Sequence, residues 1–186
     1  MKLKDLTSTL MPMLDDAHWA EEAMGRDDNQ FTRRAYIRSI FAMIEGTTWV
    51  LKQTLLKALE MKGKTFQPGE YELLSDKSYE LKENGDIKEQ TKFPKLPDNI
   101  RFTYKALGKY TNTEFKVGVG TIAWSNFLEA LKIRNRITHP KNPSEFFVSD
   151  SEIAICQQTT SWFNLLTLQS TEVLFNTSLN LSQHRT

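Results

Sequence analysis

At 186 residues, with 39% hydrophobic and 25% charged side chains, the chain has the length and texture of a folded domain and not of a disordered segment. A formal net charge of +1 excludes a globally basic nucleic-acid binder and leaves room only for a local basic patch. Cys156 is the only cysteine, the N-terminus lacks an apolar signal core, and no apolar stretch is long enough to span a bilayer. These features predict a soluble cytoplasmic protein with no intrachain disulfide and no membrane partner.

The pattern predicts a first helix over residues 13–24, ended by the polar break Gly25-Arg26-Asp27-Asp28-Asn29. Asp28 or Asn29 is placed to cap a long second helix over 30–61. Its apolar face reads Ile37, Ile40, Ile44, Leu51, Leu55 and Leu59, with Gly63 as a stop. Residues 64–92 change texture and read as an insertion. A short helix over 68–74 carries proline in its first turn, and charged strands over 79–83 and 86–89 flank the hairpin signal Asn84-Gly85. A plain polar loop is the alternative for the hairpin. Phe93-Pro94 and Leu96-Pro97 mark a connection to a helix over 98–109, with Ile100, Tyr104 and Leu107 on one face. A loop over 111–120 leads to a helix over 121–138, closed by Pro140. After the turn Lys141-Asn142-Pro143, Ser149 and Glu152 form a capping box for a last helix reaching Asn176. Its expected core contacts are Ile153, Thr160, Phe163, Leu166 and Val173, and Ser182 to Thr186 read as a loose tail. The fold class expected is all-α, a helical bundle in a single domain over 1–186 with a small β-hairpin insertion.

Chemistry concentrates in Ile133-Arg134-Asn135-Arg136-Ile137-Thr138-His139-Pro140. An arginine holds phosphate, and a histidine moves a proton near neutral pH. The apolar stripe Trp124, Phe127, Leu128, Leu131 reaches Asn135 and Thr138 when continued at the same spacing. Polar groups are therefore expected on the packed side of the helix, with Arg134 and His139 on either shoulder, and buried polar groups need partners. Lys132 and Arg136 are expected on the opposite, solvated side, adding only general positive charge. The alternative is structural: Arg134 in an ion pair, Asn135 on backbone carbonyls, and His139 ending the helix, since a residue before proline is biased out of the helical region.

The stretch Arg134 to His139 resembles the signature of HEPN domains: an arginine, a polar residue that is often asparagine, a short spacer, and a histidine near a helix end. The second helix, with Arg33-Arg34-Ala35-Tyr36-Ile37 and Phe41-Ala42-Met43-Ile44-Glu45, resembles the family's early helices, as does the order of helices around the motif. The resemblance implies an all-α bundle that pairs two copies and brings two arginine–histidine sets into one cleft. It implies a metal-independent RNA endonuclease that uses no cofactor, of the kind found in toxin–antitoxin, phage-defence or RNA-processing systems. On that reading His139 is the acid–base group, Arg134 holds the scissile phosphate, and Asn135 orients these groups. Arg136, Lys132, Lys141 and Arg38 would contact RNA, with Glu45 and Thr138 in support. RNA, a second copy, and an antitoxin or other regulatory protein are the partners implied. The alternative is a catalytically inactive HEPN-like module that binds a nucleotide or a partner protein. Pro140 and Lys141 occupy the places where a subset of the family carries a tyrosine modified by a partner nucleotidyltransferase.

Two pairings stay open on the residues. Glu45 is placed either to orient Arg134 or to form a surface or intrahelical ion pair in line with Arg38. Arg34 and Arg38, one turn apart, are placed to guide RNA or to form a solvated face. Gly118-Val119-Gly120 matches a loose dinucleotide fingerprint, but without a βαβ unit it reads as a helix-entry loop. His18 beside Trp19 reads as a partly buried histidine, and His184 falls in the tail. Three scattered histidines and one cysteine do not form a zinc site.

Overall fold

The computed structural model describes residues 3–61 and 66–183, and the side chains of 8–58 and 66–176 among them. Among the described residues, six α-helices and one hairpin follow in the order α1 (Leu3–Arg26), α2 (Gln30–Met61), α3 (Glu70–Leu74), β1 (Lys77–Leu81), β2 (Ile87–Thr91), α4 (Leu96–Thr111), α5 (Ile122–Thr138) and α6 (Asp150–Gln183). A 3-10 turn, Pro143–Phe146, joins α5 to α6. The fold is all-α with a small antiparallel hairpin. No described helix is long and apolar enough to cross a membrane.

Helix α1 begins well before residue 13 and carries Pro12 inside it. Proline removes a helical hydrogen bond, so packing has to hold the helix through that point. Leu10, Ala17 and Met24, each seven residues on, are buried against the core and supply that packing. Gly46 of α2 makes the close approach, because a Cβ there would lie 2.1 Å from the Met13 sulfur. His18 is exposed on α1, 3.3 Å from Glu22, and not the half-buried histidine expected.

Asn29 caps α2: its Oδ1 accepts from the backbone N–H groups of Phe31 at 2.8 Å and Thr32 at 3.1 Å. The stripe Ile37, Ile40, Ile44, Leu51 and Leu55 is buried as predicted. Leu59's side chain, Gly63 and His184 lie outside the described residues. Helices α4, α5 and α6 pack against α2 with α1. Aromatic rings fill the α5–α6 interface, with Trp124 and Trp162 at 5.1 and 5.2 Å from Phe127. Helix α4 starts two residues before Asp98, with proline in its first turn, where the chain needs no helical N–H.

The hairpin lies where predicted, but its strands are set back from the turn. Gly85 alone in the turn has a positive φ, and its N–H donates to the Lys82 carbonyl at 2.9 Å. That geometry is a three-residue loop with glycine at the left-handed position, whereas a two-residue Asn-Gly turn requires positive φ at both residues. At the base, Lys52 of α2 is fully buried in an ion pair with Asp76.

Ser149 and Glu152 form the predicted capping box. The Ser149 N–H donates to Glu152 at 2.9 Å, and the Glu152 N–H to the Ser149 hydroxyl at 3.3 Å. Helix α6 then runs to Gln183, past Asn176 and into the segment read as tail. Ile153, Phe163 and Leu166 are buried, while Thr160 and Val173 are only half-buried. Beyond Leu166 the core face continues through Ser170 and Leu174 at intervals of four, which moves it off Val173.

Candidate active site at the end of helix α5

Helix α5 starts from Thr121, whose side chain accepts from the Trp124 N–H at 3.4 Å. Its buried residues are Trp124, Phe127, Ala130, Ile133 and Ile137. The packed face therefore drifts toward Ile133 and Ile137 and away from Leu131. The predicted continuation is corrected: Asn135 and Thr138 are exposed, Leu131 is half-buried, and Leu128 is exposed. The stripe read from the sequence starts in the core at Trp124 and Phe127 but leaves it at Leu128, Leu131, Asn135 and Thr138, which form the open flank, while the core continues through Ala130, Ile133 and Ile137.

Arg134 stands at the border of core and flank, a quarter exposed. Its guanidinium makes an ion pair with Glu45 of α2 and donates to Asn135 Oδ1 at 3.1 Å. It also lies 5.7 Å from the centre of the buried Phe41 ring, within range of a cation–π contact. Of the two placements for Glu45, the structure has the one that fixes Arg134. Three groups therefore hold one guanidinium in a defined orientation at the surface. Thr138 bonds its own helix, donating to the Arg134 carbonyl at 2.7 Å.

His139 is the C-cap of α5, with its backbone N–H donating to the Asn135 carbonyl at 2.9 Å. Its imidazole is exposed and makes no hydrogen bond among the described residues. A histidine placed one residue past the helix has both ring nitrogens open to a ligand. Arg38 of α2 reaches the same helix end, donating to the Ile137 carbonyl at 3.1 Å. Lys132 points to solvent beside Glu129, at 2.8 Å.

Arg136 is the clearest correction. It is not a solvated charge, because its guanidinium donates to the carbonyls of Glu145 at 3.1 Å and Phe147 at 2.8 Å and pairs with Glu152 at 2.6 Å. The loop after His139 folds back over this residue and consumes its donors, so Arg136 is a loop clamp. Gln30, Arg33 and Arg34 work from α2 on the same loop, bonding the carbonyls of Val148 and Phe146. Sequence reasoning missed this role, since arginine forks aimed at backbone carbonyls leave no spacing signature. The loop's Lys141 is exposed, and its backbone N–H donates to Glu145 at 2.8 Å.

Among the described residues no three of His, Cys, Asp and Glu gather as a metal-ligand cluster. A separate groove of about 450 Å³ lies between α4 and the loop before α5, lined by Arg101, Tyr104, Lys105 and Phe115 among others. None of the residues predicted for the site lines it. Compared with known proteins, the chain matches no family model, no curated protein and no solved structure.

Proposed function

We propose that the chain is a HEPN-like, metal-independent RNA endonuclease, acting as a homodimer in a toxin or defence role. The observation that carries this reading is the Glu45–Arg134–Asn135 arrangement one turn before His139, whose exposed imidazole has no hydrogen-bond partner among the described residues. Arg134 offers a fixed fork for a phosphate and for the charge that grows on it in the transition state. His139 offers an exposed imidazole, a group that can take up or give a proton.

In the proposed reaction the ribose 2′-hydroxyl loses its proton to one histidine and attacks the adjacent phosphorus. The bond from phosphorus to the 5′-oxygen breaks, and that oxygen takes a proton from a second acid. The products are a 2′,3′-cyclic phosphate and a 5′-hydroxyl end, with no net redox change. One copy contributes a single His139, and an acid and a base are both needed, so pairing of two copies has a chemical motive. The open flank of α5, with Leu128 exposed and Leu131 half-buried, and Trp49 one turn beyond Glu45, supply apolar surface for that pairing. Arg38, Lys132 and Lys141 carry the RNA-contact role in this reading. Arg136 is withdrawn from it because its donors are consumed.

The test is incubation with total RNA in excess chelator, beside a His139→Ala variant. Cleavage by the parent alone, leaving cyclic-phosphate ends, is expected. Equal traces from both proteins would leave the catalytically inactive binding module as the better reading.

A further inference from the structure

Seven and eight residues beyond His139 the chain displays two adjacent phenylalanines, Phe146 and Phe147, 40% and 59% exposed. Exposed aromatics are common on mobile loops, but this backbone is fastened on every side. Arg34 donates to the Phe146 carbonyl at 3.1 Å, Arg136 to the Phe147 carbonyl at 2.8 Å, and Gln30 and Arg33 to the Val148 carbonyl, each at 2.9 Å. The Phe147 N–H closes the 3-10 turn onto the Ser144 carbonyl at 3.2 Å. Two helices thus hold two apolar rings out in water, at a price in exposed surface that the fold itself does not require.

The charges around the rings are unequal. Arg34 lies over one face of Phe146, 5.6 Å from the ring centre, and leaves Phe147 the freer ring. Arg34 and Arg38 bond only backbone carbonyls, and neither has a carboxylate partner among the described residues. Arg136 pairs with Glu152, Arg33 is shared between Asp28 and Asp150, and Glu145 accepts from the Lys141 N–H and the Asn142 amide and keeps its charge. Arg34 beside the Phe146 ring, with Arg38 one turn on along α2, thus offers guanidinium charge without a carboxylate partner among the described residues, and Glu145 is the acidic group of the same loop. An aromatic ring flanked by unpaired guanidinium groups suits a base with its phosphate, since every base has a π-face and every linkage a negative charge. Guanidinium groups without a carboxylate favour the nucleic acid, and a protein interface, where phenylalanine and arginine are also enriched, is the alternative that the oligomeric-mass arm of the test separates.

We propose that Phe147, beside Phe146 on this anchored loop, is a stacking platform for an unpaired RNA base, with Arg34 and Arg38 on the adjoining phosphates. The proposal rests on the RNA-cleavage reading and narrows its substrate to single-stranded RNA. Arg136 is then a positioning residue, fixing the platform to the same helix turn that carries the motif.

The experiment measures binding of a 5′-labelled single-stranded oligoribonucleotide by anisotropy at one fixed salt concentration, in a His139→Ala background so that the RNA stays intact. Phe147→Ala is expected to weaken binding about tenfold, and Phe147→Trp to keep it. Phe147→Leu, which retains apolar bulk without a ring, should behave as alanine does and guards against a loosened loop. A duplex RNA of the same length should be insensitive to all three. Equal affinity of the alanine, leucine and parent proteins overturns the platform and leaves the cleavage reading standing. A change in oligomeric mass with unaltered RNA affinity also overturns it, assigning the rings to a protein interface. If the folded parent binds no single-stranded RNA, the platform and the RNA reading fall together.

Discussion

Glu45 and Arg134 stand 89 residues apart in the chain and meet as an ion pair across the α2–α5 contact. The pair is partly exposed, with Glu45 44% and Arg134 25% open, so its contribution to stability is small. Glu45→Gln should therefore change unfolding free energy by less than about 1 kcal/mol. On the proposed RNA-cleavage reading, single-turnover cleavage by the same variant should be slower by about tenfold, because the guanidinium loses the group that aims it. Arg134→Lys should be slower still, since a single ammonium does not reproduce the fork. A Glu45→Gln protein that loses stability yet cleaves at the parent rate would make the pair a brace without catalytic meaning.

Lys52 and Asp76 form the buried counterpart, with side chains 0% and 8% exposed. Removing one member of such a pair strands a charge in the core. Lys52→Met is expected to lower stability by about 3 kcal/mol in urea unfolding. Asp76 sits at φ 55, where asparagine is one of the few replacements without backbone strain. The double variant Lys52→Met, Asp76→Asn should lose clearly less than the sum of the two single changes. Strict additivity would mean that the two side chains do not act as a pair.

Glu70 fastens α3 to α4 by accepting from Lys109 at 2.8 Å, Tyr110 at 2.6 Å and the Gln67 N–H at 2.8 Å. Burial pushes its pKa up, but these hydrogen bonds together outweigh burial and leave the carboxyl below its ordinary value of 4.5. A carboxyl lowered in the folded state stabilises fully above its unfolded pKa and ceases to do so as pH falls through the folded one. Glu70→Gln should thus cost about 1 kcal/mol at neutral pH, with the gap to the parent closing as the medium is acidified below that ordinary value. A gap that stays constant into acid would show that charge at Glu70 is irrelevant.

Cys156 is fully buried, and burial, with a smaller contribution from the charge of Glu152, pushes its thiol up to about 12. The thiolate is the reactive form, so almost none is present near neutral pH. Native protein should resist iodoacetamide at pH 8 and take up one equivalent only after denaturation. Rapid labelling of the folded chain would contradict this placement.

The helices were legible because each carries a local signature. Asn29 before α2, the Ser149–Glu152 box before α6 and the α2 stripe from Ile37 to Leu55 are short-range patterns that tertiary packing reinforced. The partnership of Glu45 with Arg134 was open among alternatives, because sequence spacing constrains pairs within a helix and not across two. The orientation of α5 was misread. Leu128 and Leu131 match a heptad-like stripe as well as Ala130 and Ile133 match the core, and only the neighbouring helices decide between them. Arg136 was misread for a related reason: its acceptors are carbonyls of a loop, and every loop has carbonyls.

The hairpin enters and leaves the helical body at one point, where the Lys92 N–H donates to the Asp76 carbonyl at 2.8 Å. Its two ends are thus already spliced by a backbone hydrogen bond, and the helices do not register the length of chain between them. Residues 77–91 form a detachable arm: trimming them to a tight turn, or grafting a fluorophore or affinity tag at Gly85, leaves the Lys52 anchor and the Arg134 region as they are.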